Sequence, residues 1–276
     1  MLPLSHWPHA ARRQLLGVFT DIDDTLTTDG AITADALQAL DNLRAAGLVV
    51  IAVTGRPVGW SEPFARSWPV DAIVAENGAV ALCAVRTAGQ QASESARGFP
   101  LPLRRLYRQD EATRRANFAR MQAVAARVLR EVPSATLARD SHGRETDIAI
   151  DHSEFSQLPP AQIAQVLGIL DSEDMNASVS SIHINAWYGE HNKWVGARWI
   201  VRELLGRDLS TETGRWAFVG DSTNDQLMFE AFTHSVGVAN IACFADQLTH
   251  APRYVSAQAR GAGFAEVAAA VLAARA

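Results

Sequence analysis

The sequence has few cysteines, no long apolar run and no excess of positive charge. Only Cys83 and Cys243 occur among 276 residues, and neither has the spacing of a metal site. Such sparse cysteine favours a reducing compartment, so we predict a cytoplasmic protein with two free, buried thiols; a single disulfide between them is the alternative. No stretch approaches the roughly 20 apolar residues that cross a bilayer, which predicts no membrane span.

The overall charge is weakly acidic. The formal net charge is −5, so we expect neither nucleic acid nor a membrane as a partner. A phosphorylated ligand would need positive charge supplied locally by its site. Hydrophobic residues make up 48% and charged residues 20%, which predicts a globular chain long enough for two domains. A monomer and a dimer fit the sequence equally well.

The N-terminal segment lacks the pattern of a signal peptide. Its residues show no basic start followed by an apolar run and a small-residue cleavage site. We expect a frayed extension there, because chain termini are often poorly ordered. His6 and His9 are therefore not expected to bind a metal.

Both ends of the chain alternate between strand and helix patterns. The predicted strands of the N-terminal part are continuous apolar runs, at 15–20, 48–53 and 72–75, and helices are predicted at 33–46 and up to residue 66. The C-terminal part predicts helices at 192–205, 225–232 and 263–274, with strands at 216–219, 236–238 and 253–255. This alternation predicts an α/β domain with a Rossmann-like parallel sheet.

The middle of the chain follows a different pattern. A segment at 86–102 is rich in Gly, Ser, Gln and Ala and predicts a loop or hinge. It is followed by a predicted helix, two strands, a second helix and two further strands, the order of an antiparallel α+β unit. We therefore predict a discontinuous core domain, 1–83 and 188–276, that carries an inserted α+β cap domain at 84–187.

Three aspartates follow the first predicted strand, in Asp21-Ile22-Asp23-Asp24-Thr25. Ligands of open α/β sheets bind beyond the carboxyl ends of the strands, and residues two apart on an extended segment share a face. Asp21 and Asp23 can therefore enter one cavity, where one carboxylate could bind metal and attack while the other carries a proton. The alternative is an ordinary acidic turn.

Three further motifs also lie at predicted strand ends or helix starts. Thr54-Gly55-Arg56 offers a hydroxyl, a close backbone approach and N–H groups for a phosphoryl oxygen, although Thr-Gly turns are common. Lys193 lies in the first turn of a helix, where a cation is unfavourable unless it meets an anion or solvent. Asp221 and Asp225, in Gly220-Asp221-Ser222-Thr223-Asn224-Asp225, are hard oxygen ligands that suit Mg²⁺; the alternative is an N-capping turn.

In this order the four motifs resemble those of the haloacid dehalogenase superfamily of aspartate-nucleophile phosphatases. The match covers roughly 15–80 and 190–265, and the place of the insertion resembles the large type IIB cap, as does Glu76-Asn77-Gly78-Ala79 at its entry. This subgroup includes sucrose-phosphate and mannosylglycerate-phosphate phosphatases and phosphomannomutase. The resemblance implies a small phosphorylated substrate, most simply a sugar phosphate.

The resemblance also implies residue roles. Asp21 would attack phosphorus to give an aspartyl-phosphate, and Asp23 would protonate the leaving oxygen and then activate water. Thr54 and Lys193 would bind the phosphoryl group, together with Gly55 and Arg56. The implied metal is Mg²⁺, held by Asp21, Asp221 and the backbone carbonyl of Asp23, while Asn224 and Asp225 order Lys193 and the metal shell. The Ser222-Thr223 pair departs slightly from the family pattern without removing a carboxylate.

Substrate-facing residues of the cap are the least defined part of the prediction. His183 and Asn185 alternate on a predicted strand shortly before Lys193, so they share a face and are our candidates for substrate contact. A water-exposed polar sheet face would explain them equally well. The predicted activity is Mg²⁺-dependent hydrolysis of a phosphoric monoester. The alternatives are a phosphomutase with the same Asp21 chemistry and a noncatalytic metabolite-binding protein.

Overall fold

The computed structural model describes residues 1–85 and 102–275. Numbered in chain order, the strands within these residues are β1 Leu2–Pro3, β2 Gly17–Thr20, β3 Thr27–Thr28, β4 Ala31–Ile32, β5 Val49–Val53, β6 Ala72–Ala75, β7 Val80–Ala84, β8 Leu103–Tyr107, β9 Thr136–Leu137, β10 Ile148–Asp151, β11 Asn176–Val179, β12 His183–Trp187, β13 Trp216–Gly220, β14 His234–Gly237 and β15 Tyr254–Val255. The α-helices there are α1 His9–Arg13, α2 Ala34–Ala45, α3 Val58–Ser67, α4 Glu111–Glu131, α5 Pro160–Ser172, α6 Lys193–Leu205, α7 Gln226–Ala231 and α8 Arg260–Leu272. The loop or hinge predicted at 86–102 lies outside the described residues except for Pro102.

The core is built on one large sheet. Its order across the described strands is β1-β15-β14-β13-β2-β5-β6-β7-β8, parallel from β1 to β6 and antiparallel at β7 and β8. The central strands are apolar on both faces because helices cover both. Val18 and Val50 join the hydrophobic cluster under α2 and α8, whereas Phe19 and Ile51 join the cluster under α6 and α7. The predicted Rossmann-like α/β core is confirmed.

The inserted unit is a four-stranded antiparallel sheet of order β11-β12-β10-β9 with α4 and α5 on one face. Side chains alternate along β12. Ile184 and Ala186 pack among the apolar residues of α4 and α5, so His183 and Asn185 lie on the opposite face. That opposite face meets the carboxyl end of the core sheet, which brings the polar side of the cap onto the predicted site.

The structure corrects the predicted start of the cap. β8 falls inside the predicted cap range of 84–187, yet it pairs with β7 as the edge strand of the core sheet, Cys83 opposite Arg104. The chain therefore passes to the cap after Tyr107. The short polar sequence of β8 gives no apolar signal, because an edge strand is covered on fewer sides than a central one.

The N-terminal segment corrects a second expectation. It is not frayed: Leu2–Pro3 pairs in parallel with Tyr254–Val255, and Trp7 is 1% exposed against the core. Of the two cysteines, Cys83 is buried as predicted but Cys243 is exposed, and both are free. Within the described residues, no helix has the length and apolar character that a membrane span requires.

Candidate active site

Three carboxylates converge at the carboxyl end of the core sheet. Asp21 follows β2 and Asp221 follows β13, and these two strands are parallel neighbours, so their ends meet at one edge. Asp225 lies one turn after Asp221. One oxygen from each side chain lies within 4.8 Å of the others, and all three residues are buried. We call Asp21, Asp221 and Asp225 the carboxylate cluster.

Lys193 neutralises part of this cluster. Its Nζ donates to Asp21 Oδ1 at 2.6 Å and to Asp225 Oδ1 at 2.7 Å, and the residue is only 3% exposed. The side chain of Asn192 caps α6 by accepting from Val195 N–H at 2.9 Å, which fixes the first turn that carries Lys193. Lys193 is also the only lysine in the sequence. The unfavourable position of a lysine at a helix start is thus offset by two buried carboxylates.

The cluster holds more negative charge than Lys193 balances. Burial raises the pKa of Asp21 to about 8 against the opposing charge of Lys193, and Asp225 and Asp23 add to the rise. Burial, Asp21 and Asp225 likewise raise the pKa of Asp221 well above its usual range. Hard carboxylate oxygens short of positive charge, with neither His nor Cys in the cluster, fit Mg²⁺.

The carboxylate of Asp23 lies outside the cluster and pairs with Arg56. Arg56 Nε lies 3.0 Å from both Asp23 oxygens, and Nη2 lies 2.8 Å from Oδ1. The same guanidinium reaches two cap carboxylates, Asp140 at 3.1 Å and Glu154 at 2.7 Å. Arg56 therefore joins the predicted proton carrier of the core to the cap, rather than standing free for a phosphoryl oxygen.

The second motif is otherwise packed against the rest of the site. Thr54 is fully buried at the end of β5, and its hydroxyl accepts from Arg56 N–H at 3.0 Å. A side chain at Gly55 would place its Cβ 2.2 Å from Asn185 Nδ2, so the cap strand touches the core backbone there. The first N–H of α3, on Val58, donates to Glu76 Oε1 at 3.0 Å and is not open to a ligand.

Both cap candidates lie at the site. His183 and Asn185 line a small cavity with Asp21, Asp23 and Gly55, and its volume is about 10 Å³. That volume holds about one water molecule and no phosphate ester, so the cap stands closed on the core. Asn185 Oδ1 is buried and has no hydrogen-bond partner among the residues the structure describes.

Glu154 is a site residue that the sequence does not reveal. Its carboxylate binds Arg56 through Oε1 and His183 Nε2 through Oε2 at 2.8 Å. Although burial raises its pKa, the hydrogen bonds from His183 and Arg56 prevail and hold that pKa at about 2. A glutamate in a polar loop carries no sequence signal, because its partners lie 98 and 29 residues away.

Glu76, predicted only as part of the cap entry, ties the two units together. It is fully buried and accepts from the cap backbone at Glu145 N (3.0 Å) and Thr146 N (2.5 Å), as well as from Val58 in the core. Its φ of +47° is unusual for a glutamate. The position of an acidic residue directly between a predicted strand and an Asn-Gly pair is the sequence signal that could have revealed it.

The fourth motif forms a compact turn. Asp225 Oδ2 accepts from Asp221 N–H at 3.0 Å, so it orders the turn as well as Lys193. Asn224 lines the small cavity, and its oxygen accepts from the Ser222 hydroxyl at 2.9 Å rather than contacting Lys193. The Thr223 hydroxyl donates to Val179 O in the cap at 2.7 Å. Ser222 and Thr223, which differ from the family pattern, thus form hydrogen bonds within the turn and to the cap.

Comparisons with known proteins identify chains with a similar fold. A family model described as haloacid dehalogenase-like hydrolase matches residues 18–94. No curated protein matches the sequence. A Thermoplasma acidophilum structure has a TM-score of 0.66 at 15% identity and covers 94% of this chain and 98% of its own. A sucrose-phosphatase from Synechocystis, solved with sucrose and phosphate, has a TM-score of 0.62 at 17% identity over 94% and 98%.

A third structure belongs by name to the subclass that the sequence resembles. It is a sugar phosphatase of haloacid dehalogenase subclass IIB, with a TM-score of 0.57 at 15% identity over 87% of this chain and 93% of its own. At such identities the likeness establishes the fold. The family match adds that residues 18–94 are similar to haloacid dehalogenase-like hydrolases.

Proposed function

We propose that the chain is a Mg²⁺-dependent phosphatase that hydrolyses a small phosphorylated metabolite, a sugar phosphate, through an aspartyl-phosphate on Asp21. The observation that carries this proposal is Lys193, whose buried Nζ lies 2.6 Å from Asp21 Oδ1 inside the carboxylate cluster. Phosphoryl transfer needs a nucleophile and neutralising charge on the equatorial oxygens more than it needs other covalent chemistry.

The reaction would run in two displacements. A carboxylate oxygen of Asp21 bonds to phosphorus while the ester oxygen leaves, and that oxygen takes a proton from Asp23. Asp23 then takes a proton from a water molecule, whose oxygen attacks phosphorus, so that phosphate departs and Asp21 is restored. In the closed structure Arg56 binds both oxygens of Asp23, so Asp23 must release at least one of these contacts before it can exchange a proton with the ester oxygen or with water.

The metal would be held by Asp21 and Asp221, with Asp225 ordering the turn behind them. Bound Mg²⁺ supplies positive charge for the phosphoryl oxygens as negative charge builds on them. Lys193 adds a second, fixed positive charge between Asp21 and Asp225. A cap that opens to admit the ester and closes over it would keep bulk water from the phosphoryl group, which favours transfer to Asp21 over uncontrolled hydrolysis.

The class of substrate is supported by the fold relatives and by the cap. Two of the similar structures are by name a sucrose-phosphatase and a sugar phosphatase. The polar cap face that carries His183 and Asn185 suits a leaving group rich in hydroxyls. A sugar phosphate is the simplest ester that meets both conditions.

The test measures phosphate release from para-nitrophenyl phosphate with Mg²⁺, by the parent protein and by Asp21→Asn. An amide cannot attack phosphorus, so we expect a loss of at least about a thousandfold in kcat without a change of fold. Asp246→Asn, at an exposed aspartate that does not line the small cavity, is the matched control and should keep parental activity. Retention of more than about a tenth of the rate in Asp21→Asn, a barrier change below ~1.4 kcal/mol, contradicts the assignment.

A further inference from the structure

A cleft of about 330 Å³ opens beside the small cavity at Asp21. The two spaces share Asp23, Arg56 and Ile182. Asp23, the proposed proton carrier, therefore lies at the boundary between the cavity and the cleft. A group that departs with the oxygen protonated by Asp23 would occupy this cleft. Its volume falls in the range of small-ligand sites and suits a monosaccharide.

The wall of this cleft is rich in acceptors and negative charge. Four carboxylates, those of Asp23, Asp24, Asp29 and Glu154, line it together with a single arginine, Arg56. A carboxylate offers only acceptor oxygens to a ligand. Such a wall favours a ligand that donates hydrogen bonds and repels one that brings a further anion.

Two arginines near the cleft are bound by carboxylates, and a third, the exposed Arg139, stacks on Phe155 with its Cζ 3.8 Å from the ring centroid. Arg56 is bound by Asp23, Asp140 and Glu154. Arg260 flanks the cleft and pairs with Asp24 at 3.1 Å and with Asp29 at 3.0 Å. Among the described residues, Arg56 and Arg260 are therefore not free to receive a second phosphate or a carboxylate, and the single charge of Arg139 is outnumbered by the four lining carboxylates.

A second observation points independently to a donor on the ligand. Asn185 is 1% exposed and lines the small cavity between Asp21 and the cleft, yet its Oδ1 has no hydrogen-bond partner in the described part of the chain. A buried acceptor without a partner is costly, so a ligand hydroxyl or ammonium at this position would be favoured. Phe155, 56% exposed at the cleft, adds an apolar edge that suits the carbon face of a sugar.

We propose that this acidic cleft selects leaving groups by charge: it accepts neutral or amine-bearing polyols and rejects leaving groups with a second phosphate or a carboxylate. The inference rests on the proposed phosphatase function and deepens it. It also argues against a phosphomutase. The bisphosphate intermediate of a phosphomutase would have to reorient inside a cleft lined by these four carboxylates.

The experiment uses substrates that share a phosphate on the same carbon and differ in a remote group. They are glucose 6-phosphate, glucosamine 6-phosphate, 6-phosphogluconate and glucose 1,6-bisphosphate, with para-nitrophenyl phosphate as the reference. We expect kcat/KM for the amine to equal or exceed that for glucose 6-phosphate, and kcat/KM for the two analogues with a second anionic group to be at least tenfold lower. Equal or faster turnover of 6-phosphogluconate or the bisphosphate overturns the inference.

A variant of the cleft wall tests whether the cleft causes the discrimination between substrates. Asp29→Asn removes one lining charge, and asparagine tolerates the φ of +52° at this position. Because Asp29 is exposed, we expect a modest gain of about twofold to fivefold in the bisphosphate-to-monophosphate ratio of kcat/KM. The matched control is Asp174→Asn, an exposed aspartate with φ of +56° remote from the cleft, which should leave that ratio unchanged.

The outcomes separate this inference from the function on which it rests. Absence of Asp21-dependent turnover of every ester, para-nitrophenyl phosphate included, refutes both. Turnover of the aryl ester and of all four sugar esters at similar kcat/KM leaves the phosphatase in place and refutes charge selection alone. If Asp29→Asn and Asp174→Asn changed the bisphosphate-to-monophosphate ratio of kcat/KM equally, the cleft would not be the cause of the discrimination.

Discussion

At the scale of the single residue, Lys193 is the side chain on which the site depends most. It is buried between Asp21 and Asp225, and its removal would leave two unpaired carboxylates in a buried setting. We expect Lys193→Met to lower the free energy of unfolding by about 3–5 kcal/mol and kcat/KM by at least about a hundredfold.

Urea denaturation and steady-state rates with an aryl phosphate measure the two effects. Arg202→Met replaces an exposed cation on the same helix and should change the free energy of unfolding by about 0.5 kcal/mol or less. A Lys193→Met protein with parental kcat/KM would show that Lys193 serves folding alone.

The carboxylate cluster predicts a stabilising response to Mg²⁺. Three buried carboxylates share the single charge of Lys193, and burial and their mutual repulsion raise the pKa of Asp21 and Asp221, so a bound divalent cation should stabilise the folded protein. At a concentration of about 100 times its Kd, the ion would add about 2.7 kcal/mol to the free energy of unfolding. Thermal melts with Mg²⁺ and with EDTA measure this difference.

Asp221→Asn provides the control for the metal. It removes one carboxylate of the cluster but keeps the shape of the side chain, so the Mg²⁺-dependent shift in Tm should shrink or vanish. An undiminished shift in Asp221→Asn would place the bound ion elsewhere. Parental activity in EDTA would refute the metal dependence itself.

At the scale of the elements, the contact between β12 and the second motif controls how closely the cap meets the core. In Gly55→Ala the new Cβ would lie 2.2 Å from Asn185 Nδ2, so the buried Asn185 amide must be displaced from its place in the site. Because displacements near ~1 Å are costly to catalysis, we expect kcat/KM to fall by roughly a hundredfold.

Gly168→Ala is the matched comparison. Gly168 lies within α5 of the cap, and a Cβ added there would meet no neighbouring atom within 4 Å. Alanine should therefore raise the stability of that helix by up to about 1 kcal/mol. Its kcat/KM should stay parental. If Gly55→Ala and Gly168→Ala lost kcat/KM to a similar extent, the loss could not be assigned to the contact between Gly55 and Asn185.

The elements predicted from the sequence are those whose signal is local. Continuous apolar runs marked β2, β5 and β13, and the strand ends then placed Asp21 and Asp221 correctly. The edge strand β8 has no apolar run, and its pairing with β7 joins segments separated by the undescribed residues. Its sequence therefore favoured the cap, and only the fold assigns it to the core.

The site shows the same division between local and distant signals. Four motifs predicted the core carboxylates and Lys193, since each lies at a strand end or a helix start. Asp140 and Glu154 were not predicted as partners of Arg56, because ion pairs between residues 84 and 98 positions apart leave no local pattern. Folding, rather than sequence proximity, creates that part of the site.

At the scale of the whole molecule, the cap and the core are joined by ion pairs that depend on pH. The pKa of Glu154 is held at about 2, below its usual value of 4.5, by the hydrogen bonds from His183 and Arg56 that outweigh its burial. The stability this provides is therefore complete above about pH 5 and is lost as the pH falls towards about 2.

We expect Glu154→Gln to flatten the dependence of Tm on pH between about 5 and 2 relative to the parent. Differential scanning calorimetry across this range measures the slope. Glu230→Gln, at an exposed glutamate on α7, is the control and should keep the parental slope. Parallel slopes in Glu154→Gln and the parent would show that this pair contributes nothing to acid stability.

Because Lys193 is buried, its chemical modification can report opening of the site. Apart from the N-terminus, its ε-amine is the only primary amine that the sequence offers to an acylating reagent. Because this amine is buried and bound by Asp21 and Asp225, acylation at the peptide containing Lys193 would report how often the site opens and releases it. Saturating phosphate and Mg²⁺ should slow that acylation, and a cap that opens freely would show no such protection.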